Sequence, residues 1–266
     1  MDFDEVKQRQ SYAWGQGDYS RISKMLEPAS SALCEAMGVA SGEDVLDVAA
    51  GDGNFALAAA RAGARVVASD MSPVMLERGR ARSIGEGYEM QWVEADAEEL
   101  PFDDESFDRV GSVFGAMIAP RPEQVVAELF RVARPGASVG MTAWTPGSFS
   151  VELFSIARRY QPPGPDLPRI EQWGEEDTVR ARFGDLPAEL DMERRTVRWE
   201  AASLEEFEQL ERSSPMSTAL RQVLPEDRLE AMRAEQLDLV RRRTGGGEGP
   251  IAIDAEYLLI VARKPG

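Results

Sequence analysis

Val45-Leu46-Asp47-Val48-Ala49-Ala50-Gly51-Asp52-Gly53-Asn54 carries an apolar strand into Gly-x-Gly and then into a helix-forming stretch. Small residues at such a turn let the backbone approach a ligand closely. Taken alone, Gly51-Asp52-Gly53-Asn54-Phe55-Ala56 fits the dinucleotide fingerprint G-x-G-x-x-G/A, and Asp70, at the next strand end, stands where an acid bonds a ribose hydroxyl. By itself the motif does not choose between NAD and another adenosyl ligand.

Around this turn, short β-rich runs alternate with helical ones, the mark of a parallel sheet with crossover helices. Strands read at 43–49, 64–70, 88–95, 107–114 and 138–144, with helices at Asn54 to Ala62, Pro73 to Arg82 and Pro122 to Ala133. Pro73 and Pro122 open their helices, where the missing N–H is tolerated, and Arg134-Pro135-Gly136 reads as the stop of the third. Upstream, Ile22, Met25, Leu26, Ala29, Leu33 and Met37 repeat at helical spacing, with Cys34 as a core filler on or near that face. Downstream, a Pro/Gly-rich run at 161–168 leads to helical segments at 175–183, 203–212 and Glu226 to Arg243. Strand-like 192–200 and 253–264 interrupt and close this half, and 245–249 reads as a flexible turn. There is no internal repeat. The expectation is one domain over 1–266: arm and ligand-binding core to 146, helical cover over 147–250 including strand 192–200, and a final strand at 251–264.

Composition removes several chemistries. The 266 residues hold 30 Lys+Arg against 47 Asp+Glu and no histidine, a formal charge of −17. Without histidine there is no Ser-His-Asp or Cys-His triad, no His-ligated metal and no imidazole acid or base. The sequence predicts no metal site. The negative balance argues against a phosphate-tracking surface, so no nucleic-acid partner is expected, and Arg241-Arg242-Arg243 reads as a solvated helix end. A single cysteine excludes an internal disulfide, and MDFDEVKQRQ lacks the basic start and apolar core of a signal peptide. No apolar run approaches the ~20 residues that span a bilayer. The expectation is a cytoplasmic protein with no membrane partner; oligomeric state is not readable.

Further features separate the possible ligands. Asp47 sits inside the first strand, four residues before Gly51, where a carboxylate suits a positive amino group and not a pyrophosphate. The third strand ends at Glu94-Ala95-Asp96-Ala97-Glu98, placing Asp96 at the sheet's carboxyl edge as an acceptor for an adenine amino group. The chain ends in a strand that pairs, as a hairpin, with 192–200 after a long helical excursion, which a two-fold dinucleotide fold does not have.

These blocks resemble the class I S-adenosylmethionine (SAM)-dependent methyltransferases, in particular the methyltransferase type 11 or UbiE-like branch. The resemblance lies in VLDVAAGDGN (45–54), ASDMSPVML (68–76), VEADAEELPFDDESFDRV (93–110) and FGAMIAPRPEQVVAELFRVARPG (114–136) leading into MTAWTP (141–146). RQSYAWGQGDYS (9–20) and the late AEYLLIVARK also resemble this branch. It implies a Rossmann-like α/β fold, a mostly parallel seven-stranded sheet with an antiparallel last strand and a helical lid insertion. It also implies SAM as cofactor, S-adenosylhomocysteine (SAH) as product, and a small-molecule acceptor methylated at O, N or C, such as a secondary metabolite.

Carried onto this chain, the resemblance implies that Asp47 and the backbone around Ala49, Gly51 and Gly53 hold the methionine part, with Asn54 at the head of the helix. Asp70 takes the ribose hydroxyls, Met71 one adenine face, and Asp96 and Ala97 the adenine edge. Phe114 forms the floor near the sulfonium, and Met117 lies beside it on the substrate side. The departure is Ala49-Ala50-Gly51 where many members have Gly-Cys-Gly or Gly-Thr-Gly: Ala49 stays small but gives up easy access to positive φ. Alternative roles stay open, since Asp70 or Ser72 suits a helix N-cap and Phe114 and Met117 suit a strand end in the core.

On the acceptor side, Tyr12, Trp14 and Tyr19 are candidates to close over the cofactor, and Trp144, Phe149 and Trp173 to line the acceptor cavity. No catalytic residue is legible; a base, if needed, is sought among Tyr12, Asp18 and Tyr19. The rival readings are a SAM-binding protein without transferase activity and an NAD(P)-dependent reductase.

Overall fold

The computed structural model describes residues 3–161, 167–246 and 249–266. Parts of the expected turns at 161–168 and 245–249 therefore lie outside the described residues. In chain order the elements are α1 (Phe3–Trp14), α2 (Ser20–Ala36), β1 (Asp44–Val48), α3 (Asn54–Arg61), β2 (Arg65–Asp70), α4 (Pro73–Gly85), β3 (Gln91–Glu94) and β4 (Phe107–Val113). There follow α5 (Pro122–Val132), β5 (Ala133–Trp144), α6 (Phe149–Tyr160), α7 (Glu176–Phe183), β6 (Glu189–Ala201), α8 (Leu204–Ser213), α9 (Pro215–Leu220), α10 (Glu226–Thr244) and β7 (Ile251–Arg263).

The strands form one seven-stranded sheet in the order β3-β2-β1-β4-β5-β7-β6. β1 to β5 run parallel, and β7 is antiparallel to both β5 and β6. This is the expected Rossmann-like class I methyltransferase architecture. Central strands of such a sheet are covered on both faces, so they read as apolar runs. Val45, Leu46, Val48 and Val110 are fully buried accordingly. Leu33 of α2, Ala59 of α3 and Leu129 of α5 lie fully buried in the same core.

Chain order reverses between β1 and β4, and at such a switch point the connections leave toward opposite faces and open a crevice at the strands' carboxyl ends. The turns after β1, β2, β3 and β4 all meet there. The last two strands form the long hairpin expected from the sequence, registered from Glu189 opposite Arg263 to Ala201 opposite Ile251, with α8, α9 and α10 carried between them.

The helix stops just before Arg134-Pro135-Gly136, as expected: α5 ends at Val132, and the chain continues through these residues directly into the first part of β5. The ladder to β4 is irregular there, moving from Phe107–Ala133 to Arg109–Ser138. A proline without an N–H is accommodated at such a break. Phe3–Trp14 and Phe149–Tyr160 are helices that the sequence reading did not assign.

Candidate functional site

At the carboxyl end of β1 the chain turns through Ala49 and Gly51 with φ of 53° and 57°, both left-handed. Ala49 thus adopts positive φ although it is not glycine. Gly53, at φ 89°, is the N-cap of α3, and a β-carbon there would come within 2.6 Å of the Trp92 ring. Its role is to let helix and sheet close up.

This turn is held by carboxyl groups. Asp47, 1% exposed, accepts the Ala56 N–H of α3 at 2.8 Å. Asp70 accepts from the Gly51 and Ser72 N–H groups, each at 2.8 Å. Ser72 occupies the N-cap position of α4 without capping it through its side chain. Asp52 accepts from the Ser23 hydroxyl at 2.6 Å, and Asn54 is turned toward α2 and α4, donating to Ser23 O and accepting from Arg82 at 2.6 Å. Burial is the leading cause that pushes the carboxyls of Asp47, Asp52 and Asp70 above the usual range, with the hydrogen bonds they accept opposing it. Like-charged neighbours add to the rise.

These residues surround a cleft that is partly open to solvent. Asp47, Ala49, Gly51, Asn54, Asp70, Met71, Asp96, Ala97 and Phe114 all line it, whereas Gly53 lies behind its wall. Phe114, at φ 56°, stacks on Trp144 with centroids 3.9 Å apart and planes 7° from parallel. Lys7 and Gln10 of α1 and Asp52 and Met75 also line the cleft, and the sequence reading did not find them. Lys7 pairs with Asp96 and Glu98, which leaves little positive charge for an anionic ligand.

A second cavity adjoins the first, sharing Trp14, Tyr19, Leu26, Phe114 and Ile118 with it. Met117 and Trp144 line this second space, together with Phe154, Trp199, Met216, Gln236 and Glu211. Trp14 and Tyr19 meet edge to face at 5.7 Å and stand at the junction. Three candidates fall elsewhere. Tyr12 is 55% exposed and donates to Gln222 at the surface. Phe149 and Trp173, each 1% exposed, serve the core: Phe149 packs on Trp199 and Phe207, Trp173 on Phe183 and under the Arg182 guanidinium.

The expected bases also change standing. Asp18 accepts from the Ser20 N–H at 2.9 Å and its carboxyl is held low, chiefly by its hydrogen bonds with Ser20. The Tyr19 hydroxyl is pushed up by burial and by Asp52 and Asp70, so it stays protonated as a donor. Among the described residues no group of acids or cysteine is arranged to hold a metal, and no helix is long and apolar enough to cross a membrane.

Comparison with known proteins agrees with this geometry. Residues 46–140 match the family model described as a methyltransferase domain, Methyltransf_11. An uncharacterized protein of Mycobacterium tuberculosis is 44% identical over 174 residues, 65% of this chain and 64% of that protein. The alignment thus spans less than two thirds of that relative's length. A demethylmenaquinone methyltransferase of Clavibacter sepedonicus is 40% identical over 126 residues, 46% of this chain and 51% of that protein. Among solved structures, a Bacillus halodurans protein assigned as a methyltransferase superposes with a TM-score of 0.61 at 22% identity, covering 89% of this chain and 99% of that one. Residues 46–140 thus match a type 11 methyltransferase domain at the centre of the chain, and the chain shares its fold with the solved structure.

Proposed function

We propose that the protein transfers a methyl group from SAM, bound in the first cleft, to a small molecule in the adjoining apolar cavity. One observation carries this reading: the N-terminus of α3, where a dinucleotide fold receives its pyrophosphate, is occupied by the protein's own Asp47 carboxyl. A phosphate chain would also stand against Asp52 and Asp70 with Lys7 already engaged by Asp96 and Glu98. Buried carboxyls facing a cleft fit a ligand with an amino cation, a ribose diol and an uncharged base.

When bound, SAM supplies an electrophilic methyl group on a sulfonium. The chain's own contribution is placement. Asp70, fixed by two backbone N–H groups, presents its remaining lone pairs to the ribose hydroxyls, and Asp47 and the Ala49–Gly51 backbone receive the amino-acid end. Met71 covers one face of adenine, with Asp96 and Ala97 at its edge. Phe114, braced on Trp144, forms the floor where the two cavities meet. Alignment of this kind is worth roughly 7–11 kcal/mol of barrier. The same reading makes residues 1–266 a single domain, acting in the cytoplasm on a small molecule.

The test is calorimetric titration with SAH and with NADH of the wild-type protein, Asp70→Ala and Asp70→Asn. SAH is expected to bind wild type, with affinity falling roughly 10–100-fold in both variants, the loss of hydrogen bonds to a charged group. NADH binding in the absence of SAH binding would overturn the assignment. Asp70→Asn keeps the volume of the side chain and so separates ligand loss from misfolding.

A further inference from the structure

The second cavity holds a feature that methyl transfer alone does not explain. Its walls are apolar and aromatic, yet the Glu211 side chain, on the last turn of α8, lines it. No Lys or Arg lines that cavity among the described residues, and Tyr19 is its other titratable group. Glu211 accepts only a long contact from the Gln236 amide of α10, at 3.4 Å. The other polar groups nearby are occupied: Ser150 accepts from the Trp199 indole at 3.1 Å, and Ser214 from the Ser217 N–H at 3.3 Å. Charged residues on the surrounding helices pair away from it, Arg21 with Glu206, Arg212 with Glu208 and Arg233 with Glu226.

The turn before α2 ties Glu211 to the junction of the cavities. The Asp18 N–H donates to Ser213 O at 2.7 Å, joining the last turn of α8 to the segment that carries Tyr19 into both cavities. Burial alone pushes the Glu211 carboxyl up to about 7. A partly buried acid set in an apolar wall without a cation is a costly arrangement whose missing partner calls for an explanation. A ligand's donor group supplies one.

Building on the methyl-transfer reading, we propose that the acceptor is an uncharged, largely apolar molecule with a phenol- or enol-type hydroxyl, and that Glu211 receives the proton of that hydroxyl during transfer. An anionic acceptor would find no cation in this cavity and would approach a chain of formal charge −17. A protonated amine has no lone pair with which to attack. A neutral hydroxyl is a weak nucleophile near pH 7 and is helped by a base that titrates there. In the balanced step, an oxygen lone pair forms the O–CH3 bond while the S–CH3 bond breaks with its electrons going to sulfur. The O–H proton passes to the Glu211 carboxylate and leaves to solvent after product release.

The experiment uses the full chain saturated with SAH and four probes of one shape: 1-naphthol, naphthalene, 1-naphthoate and 1-naphthylmethylamine. Binding is read by quenching of tryptophan fluorescence, since Trp14, Trp144 and Trp199 line the cavity. Methyl transfer from SAM to 1-naphthol is followed across pH. The expectation is that 1-naphthol binds best and binds roughly tenfold more weakly to Glu211→Gln. Transfer should rise through an apparent pKa near 7 in wild type. Glu211→Gln should lose about 10²–10⁴-fold in kcat together with that pH step, and Glu211→Asp should restore part of both. Preference for the naphthoate or the amine, absence of 1-naphthol binding, or an unchanged pH profile in Glu211→Gln would each overturn the proposal. SAH affinity of every variant is the control: failure of SAH to bind wild type removes the cofactor reading, whereas intact SAH binding with an indifferent Glu211→Gln removes only this one.

Discussion

Lys7 of α1 is ion-paired with Asp96 at the carboxyl end of β3, although 89 positions separate them in sequence. The same ammonium pairs with Glu98, whose side chain is fully buried and also held by Arg121. Gln10 and Ser11 add hydrogen bonds from α1 to Ile118 O and Met71 O. The first helix is therefore fastened across the rim of the first cleft by a charge that the cleft itself provides. Removing one partner of a buried pair acts mainly on dissociation. Lys7→Met is expected to speed SAH release by about tenfold or more and to expose residues 3–14 to protease. Stopped-flow release at the wild-type rate would show that α1 does not retain the ligand.

Cofactor binding should be linked to protons. Burial holds the carboxyls of Asp47, Asp52 and Asp70 above their ordinary range, and an amino cation placed among them favours their ionised form. Ligand binding then lowers these pKa values and releases protons. SAH affinity is expected to climb as pH rises through their titration and to level off above it. Calorimetry at one pH in phosphate and in Tris, whose ionisation enthalpies differ, reads the release directly; equal apparent enthalpies would refute it. Asp47→Asn should release fewer protons.

Ala49 stores backbone strain at the first turn of the site. A non-glycine residue in the left-handed region costs roughly 1–2 kcal/mol, and glycine there gives back about 0.4–1 kcal/mol through the freer unfolded chain. Ala49→Gly should therefore stabilise the protein by about 0.5–1 kcal/mol, a rise in Tm of about 1–4 °C for a chain of this size. SAH affinity should hardly change, because the backbone groups keep their places. A lower Tm would mean that the alanine methyl packs too well to lose.

The parts of this molecule that were legible in sequence are those where one local pattern fixes one structure. β1 and β5 are apolar because they are covered on both faces, and the Gly-rich turn and the acids at the strand ends follow from the switch point. α1 was not legible, since FDEVKQRQSYAW carries no apolar stripe and is held by polar contacts to distant turns. Phe149 and Trp173 were expected at the acceptor because they follow the fifth strand. The partners that draw them inward, Trp199, Phe207 and Phe183, come later in the chain. Glu211 was hidden among other acids in LEEFEQLERS. Its signal was its spacing, four residues after Phe207 and one after Leu210, on the helix face that is buried.

Glu211 should also mark the pH dependence of stability. Its carboxyl titrates at about 7 when folded, against 4.5 as the ordinary value. Between those values the folded chain holds a proton that the unfolded chain has lost, so this residue's contribution falls as pH rises from 4.5 to about 7 and then stays constant. Below pH 4.5 both states are protonated and the penalty is absent. At about 1.4 kcal/mol per unit, and allowing for the residue's partial access to the cavity solvent, the penalty above neutrality is of order 2–3 kcal/mol. Glu211→Gln is thus expected to unfold at higher urea concentration than wild type at pH 8, with the gap closing toward pH 4.5 and no change in m-value. A gap of the same size at both pH values would mean that the gain comes from packing and that Glu211 titrates as an ordinary surface acid.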